Sequence, residues 1–172
     1  MKKILFSLIA LMSVMTVQAQ SICATWRTMQ PIVETAEDGS MTIQNVLYTF
    51  NEDGTYSYVD EFTMSSEPAP TMALEIATSI EIKGTYTLEG DQLTLTPNVD
   101  TYKAEILSLS MNGKVTDNPM VKGQVRSMLN SPEFKAQFGT VETDTVKFDD
   151  TSLEMSDGEQ TLNFTRFATI NN

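Results

Sequence analysis

The sequence predicts an all-β domain with a minor helical insertion, an antiparallel meander closed into a β-barrel of about eight strands. Turn dipeptides recur along the chain, at Asp53-Gly54, Gly90-Asp91, Asn112-Gly113 and Asp157-Gly158, with weaker candidates at Asp38-Gly39 and Asp149-Asp150. Gly, Asn and Asp tolerate the positive φ that two-residue hairpin turns demand. Between the turns, apolar and polar residues alternate with a period of two, the mark of strands with one buried and one wet face. Threonine and tyrosine are frequent in these segments, as strands prefer.

The chain opens with a segment that does not belong to this fold. Lys2 and Lys3 precede an apolar run from Ile4 to Val17, and Val17-Gln18-Ala19 places small or short apolar residues where a signal peptidase reads them. Residues 1–19 are therefore expected to be a signal peptide, and residues 20–172 a single domain, secreted or periplasmic after cleavage near Ala19. The run is shorter than the about twenty residues that a membrane span needs. No later stretch approaches that length, so no integral membrane association is expected. Ile22, directly before Cys23, argues against lipid anchoring at that cysteine, because a lipoprotein signal wants a small residue there.

The strands follow in order. Val46, Tyr48 and Phe50 share one face, and beyond the Asp53-Gly54 turn Tyr56, Tyr58 and Phe62 share another. Ile80, Ile82, Gly84, Tyr86 and Leu88 point one way, with Glu81, Lys83, Thr85, Thr87 and Glu89 opposite. Leu93 and Leu95 return after Gly90-Asp91. Val146 with Phe148, Leu153 with Met155, and Leu162 with Phe164 repeat the pattern near the end. Two stretches break it. Ser65, Ser66, Glu67, Pro68 and Pro70 read as a loop and Thr71 to Ala77 as a turn of helix, so Met64 to Thr78 is expected to be an ordinary surface loop, with a lid over the open end of the barrel as the alternative. Residues 119–138 read as a helix-turn-helix. Asn118-Pro119 and Ser131-Pro132 each supply an N-cap followed by an N1 proline, and Val121, Val125, Met128 and Leu129 recur on one helical face.

Composition removes several function classes. The 172-residue chain carries 11 basic and 23 acidic residues, so a phosphate backbone is repelled and nucleic-acid binding is not expected. It contains no histidine and one cysteine, Cys23. Ser-His-Asp and Cys-His catalysis, histidine-based zinc sites and CxxC redox pairs are thereby excluded. Neither GxGxxG nor GxxxxGK[ST] occurs. The expectation is a non-enzymatic protein with no cofactor, no catalytic residues and no metal ligands. Asn51 to Phe62 begins like a calcium loop but ends on Phe62 where a glutamate is required; a plain hairpin turn explains it. Two enzymatic alternatives are left: paired carboxylates for glycoside hydrolysis, and Cys23 as a nucleophile, which has no histidine to activate it and only Arg27 as thin support.

The inward-facing sets are rich in aromatic rings: Tyr48, Tyr56, Tyr58, Tyr86 and Phe164 stand out as candidate ligand-binding residues. A barrel of about eight strands either fills with its own side chains or holds one small ligand. Inward tyrosine hydroxyls need partners, which a polar ligand head or ordered water supplies. The rings also suit a filled core, and both readings stay open here.

Four segments together resemble the lipocalin-like small-barrel domains of bacterial secreted proteins. They are Ala24-Thr25-Trp26 on the first strand, the stretch from Tyr48 to Tyr56, the stretch from Gly84 to Leu95, and Asn163-Phe164-Thr165-Arg166-Phe167. The resemblance implies a barrel-end pair in which Arg166 lies over the ring of Trp26. The alternation agrees, since Arg166 falls on the face of Leu162 and Phe164. Two departures stand out: Ala24 replaces the family's glycine, and residues 119–138 are an insertion. The family includes ligand carriers and inhibitors. A small apolar or amphipathic ligand in the barrel is the leading expectation for a partner, and a protein partner engaged by exposed loops is the alternative. Intact-mass measurement of the exported protein is expected to give a chain beginning at Gln20; a mass retaining residues 1–19, or one bearing lipid on Cys23, contradicts the reading of the leader.

Overall fold

In the computed structural model of this protein, residues 21–36, 39–69 and 72–167 are described. The expected leader, residues 1–19, lies outside them. The elements are β1 (Thr25–Thr28), β2 (Ile32–Ala36), β3 (Gly39–Phe50), β4 (Thr55–Ala69), β5 (Met72–Glu89), β6 (Gln92–Met111), β7 (Lys114–Val115), α1 (Pro119–Leu129), α2 (Pro132–Ala136), β8 (Glu142–Phe148), β9 (Ser152–Ser156) and β10 (Thr161–Arg166). All pairings are antiparallel. Eight strands close a ring in the order β1-β10-β9-β8-β6-β5-β4-β3, with β3 returning to β1. β2 lies outside β3, and the short β7 pairs with the end of β6.

The expected all-β architecture is present, and the hairpin dipeptides form its turns. Between β6 and β7, Asn112 has φ 51° and Gly113 φ 73°, the pair of left-handed residues that a type I′ turn requires. The difference from a plain barrel lies in strand length. Strands β3 to β6 run 12, 15, 18 and 20 residues, whereas β8, β9 and β10 run 7, 5 and 6. β6 pairs with β8 only from Gln92 to Leu95. The ring therefore closes over one part of the long strands, and their remainder continues as an open sheet.

Pairing across β3, β4 and β5 stacks the inward residues in tiers. From the closed end they run Phe50/Tyr56/Gly84, Tyr48/Tyr58/Ile82, Val46/Asp60/Ile80, Ile43/Phe62/Thr78 and Met41/Met64/Ile76. A bulge at Gln44 absorbs one residue between Ile43 and Asn45 and so keeps Ile43 on the inner face. The stretch Met64 to Thr78 corrects an expectation: it is not a loop or lid. Thr63 pairs with Ala77, Met64 with Ile76 and Ser65 with Glu75. Leu74, Ile76 and Thr78 alternate with Glu75, Ala77 and Ser79 as a strand should, and the nearby prolines and serines disguised that pattern. Residues 70–71 lie outside the described residues.

Both helices start where the capping signals put them. The Asn118 side chain accepts from the Met120 amide at 3.0 Å, and Ser131 Oγ accepts from the Phe134 amide at 3.2 Å. Val125 and Leu129 of α1 pack with Ile76 and Leu109 on the inner face of the open sheet. The Tyr102 hydroxyl donates to the Leu129 carbonyl at 2.8 Å, which satisfies one of the carbonyls that a helix leaves free at its C-terminus. Phe138 packs at a tilt against both Tyr102 and Phe134.

The barrel-end pair is arranged differently from the expectation. Trp26 is wholly buried in the core of the ring, its Nε1 donates to the Ile22 carbonyl at 2.8 Å, and it stands directly opposite Arg166. Arg166, however, is exposed, and its guanidinium donates to the Asp150 carbonyl at 3.3 Å. The alternation was read correctly, but Arg166 is the last residue of β10, so its inner face is already the rim.

Gly84 marks a close approach between β5 and β6. A Cβ there would lie 2.3 Å from the Thr96 carbonyl oxygen and 2.9 Å from Pro97 Cα. Both are backbone atoms of the paired strand and cannot swing aside. Gly84→Ala is expected to destabilise the protein by about 1–3 kcal/mol through overpacking, measured as a lowered urea midpoint; an unchanged midpoint contradicts this account.

Candidate functional site

Two recesses open on the inner side of the sheet. The first lies where β6 parts from β8 beyond Leu95. Tyr48, Tyr56 and Tyr58 form its floor, Ile82, Leu95 and Pro97 line one wall, and Gln137, Phe138 and Glu142 complete it, around ≈ 180 Å³. A neighbouring recess of ≈ 310 Å³ shares Tyr48 and Glu142 and adds Asp144, Asp157 and Gln160. The floor exists because strand alternation turns Tyr48, Tyr56 and Tyr58 inward on adjacent strands. Their rings pack on one another, with centroids 5.0 Å apart for Tyr48–Tyr58 and 6.3 Å for Tyr48–Tyr56. Glu142 and Asp144 reach the same space because they oppose the inward Leu95 and Leu93 across β6–β8.

Of the five sequence-predicted ligand residues, Tyr48, Tyr56 and Tyr58 meet at this recess. Tyr86 does not line it. Its hydroxyl donates to the Asn51 carbonyl at 2.8 Å and sits 3.2 Å from Cys23 Sγ, while its ring meets Phe50 edge-on. Phe164 is wholly buried in the core of the ring and does not line it either. Cys23 is free and half-buried.

The carboxylates around this floor are the residues that sequence reasoning passed over. Asp60 lies between Tyr58 and Phe62 on the inner face, so its orientation was legible in the alternation. It is 5% exposed. Its Oδ2 accepts from the Tyr58 hydroxyl at 3.2 Å, and its Oδ1 has no partner among the described residues. Thr78 Oγ1, buried on the neighbouring strand, is also without one. Burial pushes the Asp60 carboxyl up to about 6, against a smaller downward pull from the Tyr58 hydrogen bond. Burial likewise raises Glu142, with Asp144 and Asp157 adding like-charge repulsion. Asp144 is raised by burial and then by Asp157. Burial, and next the charge of Glu142, hold the Tyr48 phenol well above its ordinary value.

The second recess is a groove between α1 and the open sheet, of ≈ 680 Å³, lined chiefly by Met41, Met64, Leu74, Ile76, Val121, Val125 and Met128. Its lining is largely apolar, with Glu34 and Gln124 bordering it. No sequence signal marked it, because it exists only between α1 and the facing residues of β2 to β5. Among the described residues, no group of three His, Cys, Asp or Glu side chains is placed to hold a metal ion, and no helix is long and apolar enough to cross a membrane.

No protein-family model matches the chain, and the search of curated proteins finds no match.

Asp60 generates a pH prediction. Its folded value near 6 exceeds its ordinary 3.8, so between those values the folded state keeps a proton that the unfolded chain has lost. Stability therefore falls as pH rises through that window, and the penalty is complete above it. Asp60→Asn is expected to raise stability at pH 7.5 by about 1–3 kcal/mol, with the gain fading by pH 4. Urea midpoints at the two pH values check this; a variant less stable at pH 7.5 than the parent protein contradicts it.

Proposed function

We propose that this domain is an exported, non-enzymatic binding module of lipocalin-like type that holds a small apolar or amphipathic molecule. The observation that carries the proposal is the groove under α1. Its volume falls within the range of pockets that enclose drug-sized ligands, and an apolar lining with a few polar groups at the edge is their usual composition. Met41, Met64 and Met128 suit such a role, since thioether side chains adapt to irregular shapes. On this reading the ligand lies outside the closed ring, in a different recess from the tyrosine floor.

Two other readings are weaker. A ring filled by its own side chains is what an inert scaffold for a protein partner has, and Val33, exposed on the outer strand β2, would be available to one; the groove nonetheless offers a more specific feature. Glu142 and Asp144 have raised carboxyls, as hydrolytic pairs often do. They stand side by side on one face of β8, whereas glycoside hydrolysis requires carboxyls flanking the scissile bond.

The test is a neutral apolar fluorescent probe, N-phenyl-1-naphthylamine, titrated into the mature protein. Binding with enhanced fluorescence is expected. Met128→Glu, an exposed position on α1 that borders the groove, should weaken it at least about tenfold, or about 1.4 kcal/mol, without lowering the thermal midpoint. Absence of binding, or affinity indifferent to this substitution, would overturn the proposal.

A further inference from the structure

We infer that the tyrosine-floored recess is a separate binding site for a small organic cation, an alkylated ammonium group held between the floor of Tyr48, Tyr56 and Tyr58 and the carboxylates of Glu142 and Asp144. Three observations converge on that chemistry. The floor offers three phenol rings, with Tyr48 5.0 Å from Tyr58 and 6.3 Å from Tyr56 between centroids. The face of an aromatic ring carries negative potential and attracts a cation within about 6 Å of its centroid, more strongly when water is displaced.

The charge around the floor is of one sign. Glu142 lines both parts of the recess, and Asp144 and Asp157 line the second. None of the three belongs to any ion pair among the described residues, where the pairs are Lys83 and Lys103 with Glu81, Lys122 with Asp117 and Lys147 with Glu154. Three carboxylates that repel one another across a shared space are relieved by a cation and aggravated by an anion. A fatty-acid head group is therefore the wrong ligand for this recess.

The third observation lies beside the floor. Asp60, 5% exposed, takes the Tyr58 hydroxyl proton into a hydrogen bond and keeps a second oxygen unpartnered. A carboxylate accepting from a phenol draws electron density onto the ring and strengthens its attraction for a cation. Burying such a group without full compensation costs stability, and a cation against the Tyr58 ring would offset part of that cost. The recess of ≈ 180 Å³ is below the usual range for drug-sized ligands and suits a methylated ammonium. The adjoining space toward Asp157 and Gln160 admits a short polar arm.

The test compares choline with 3,3-dimethylbutan-1-ol, which has the same shape and no charge, by calorimetry and by tyrosine-ring NMR on the mature protein. Choline is expected to bind in the millimolar range or tighter and to shift the ring resonances, and the alcohol to bind at least about tenfold more weakly. The double substitution Glu142→Gln with Asp144→Asn, at the solvent-facing mouth, should weaken choline at least about tenfold, with the thermal midpoint retained. Naphthylamine binding in the α1 groove should be untouched, so failure of one site is distinguishable from failure of the other. Equal affinity for choline and the alcohol, indifference to the double substitution, or no choline-dependent shift at millimolar concentration would each overturn the inference.

Discussion

Closure of the ring rests on β1, the four residues from Thr25 to Thr28. This strand pairs on one side with β10 and on the other with β3, so it joins the last strand of the chain to the start of the long hairpins. So short a strand offers few ladder hydrogen bonds, and side chains reinforce it on both faces. Inside, Trp26 is wholly buried with its indole nitrogen bonded to the Ile22 carbonyl. Outside, the Thr25 and Thr49 hydroxyls meet at 3.0 Å, and Arg27 binds Asn45, which in turn binds Glu61. Truncating a buried aromatic residue typically costs about 3–5 kcal/mol, so Trp26 by itself is a large share of what holds the two ends together. Without β1 the remaining seven ring strands would be an open curved sheet with two exposed edges.

Along the inner face the chemistry changes in bands. At the closed end, aromatic and aliphatic side chains interlock around Trp26, Phe50 and Phe164. In the middle, Asp60 and Thr78 bring unpartnered oxygens into a layer otherwise made of Phe62, Ile80 and Tyr102. Beyond that, Met64, Ile76 and Leu109 meet α1. The bands follow from one geometric fact: β8, β9 and β10 stop early while β3 to β6 continue. Where the short strands end, the interior opens past Glu142, Asp144 and the tyrosines. Where the long strands run on, only α1 and α2 cover them, and the cover is incomplete enough to leave a groove.

The helical insertion serves as the missing wall of that upper part. Its position is set by two groups, the Leu129 carbonyl held by the Tyr102 hydroxyl and the aromatic cluster of Tyr102, Phe134 and Phe138. Lys135 lies 5.4 Å from the Tyr102 ring centre and so contributes a cation over the same ring. The insertion thus touches the sheet through β6, the longest strand, and leaves the side facing β2 and β3 less filled. That asymmetry is what gives the groove its mouth beside Glu34 and Gln124.

What the sequence determined by itself was local. A hairpin is specified by a dipeptide such as Asn112-Gly113, and a helix start by a cap and proline such as Asn118-Pro119 or Ser131-Pro132. The inward face of a strand is specified by alternation, which correctly grouped Tyr48, Tyr56 and Tyr58. Each of these signals acts between residues a few positions apart. Tertiary structure decided everything that depends on register between distant strands. Alternation tells which face a side chain takes but not how far along the ring it lies, so Arg166 faced the right way and still ended at the rim. The bulge at Gln44 and the early parting of β6 from β8 set which tier each residue occupies. They put Glu142 against Tyr48, nearly a hundred positions earlier in the chain, and Met128 above Met41. No short window of sequence contains those pairings, because they are fixed by the lengths of all the strands at once.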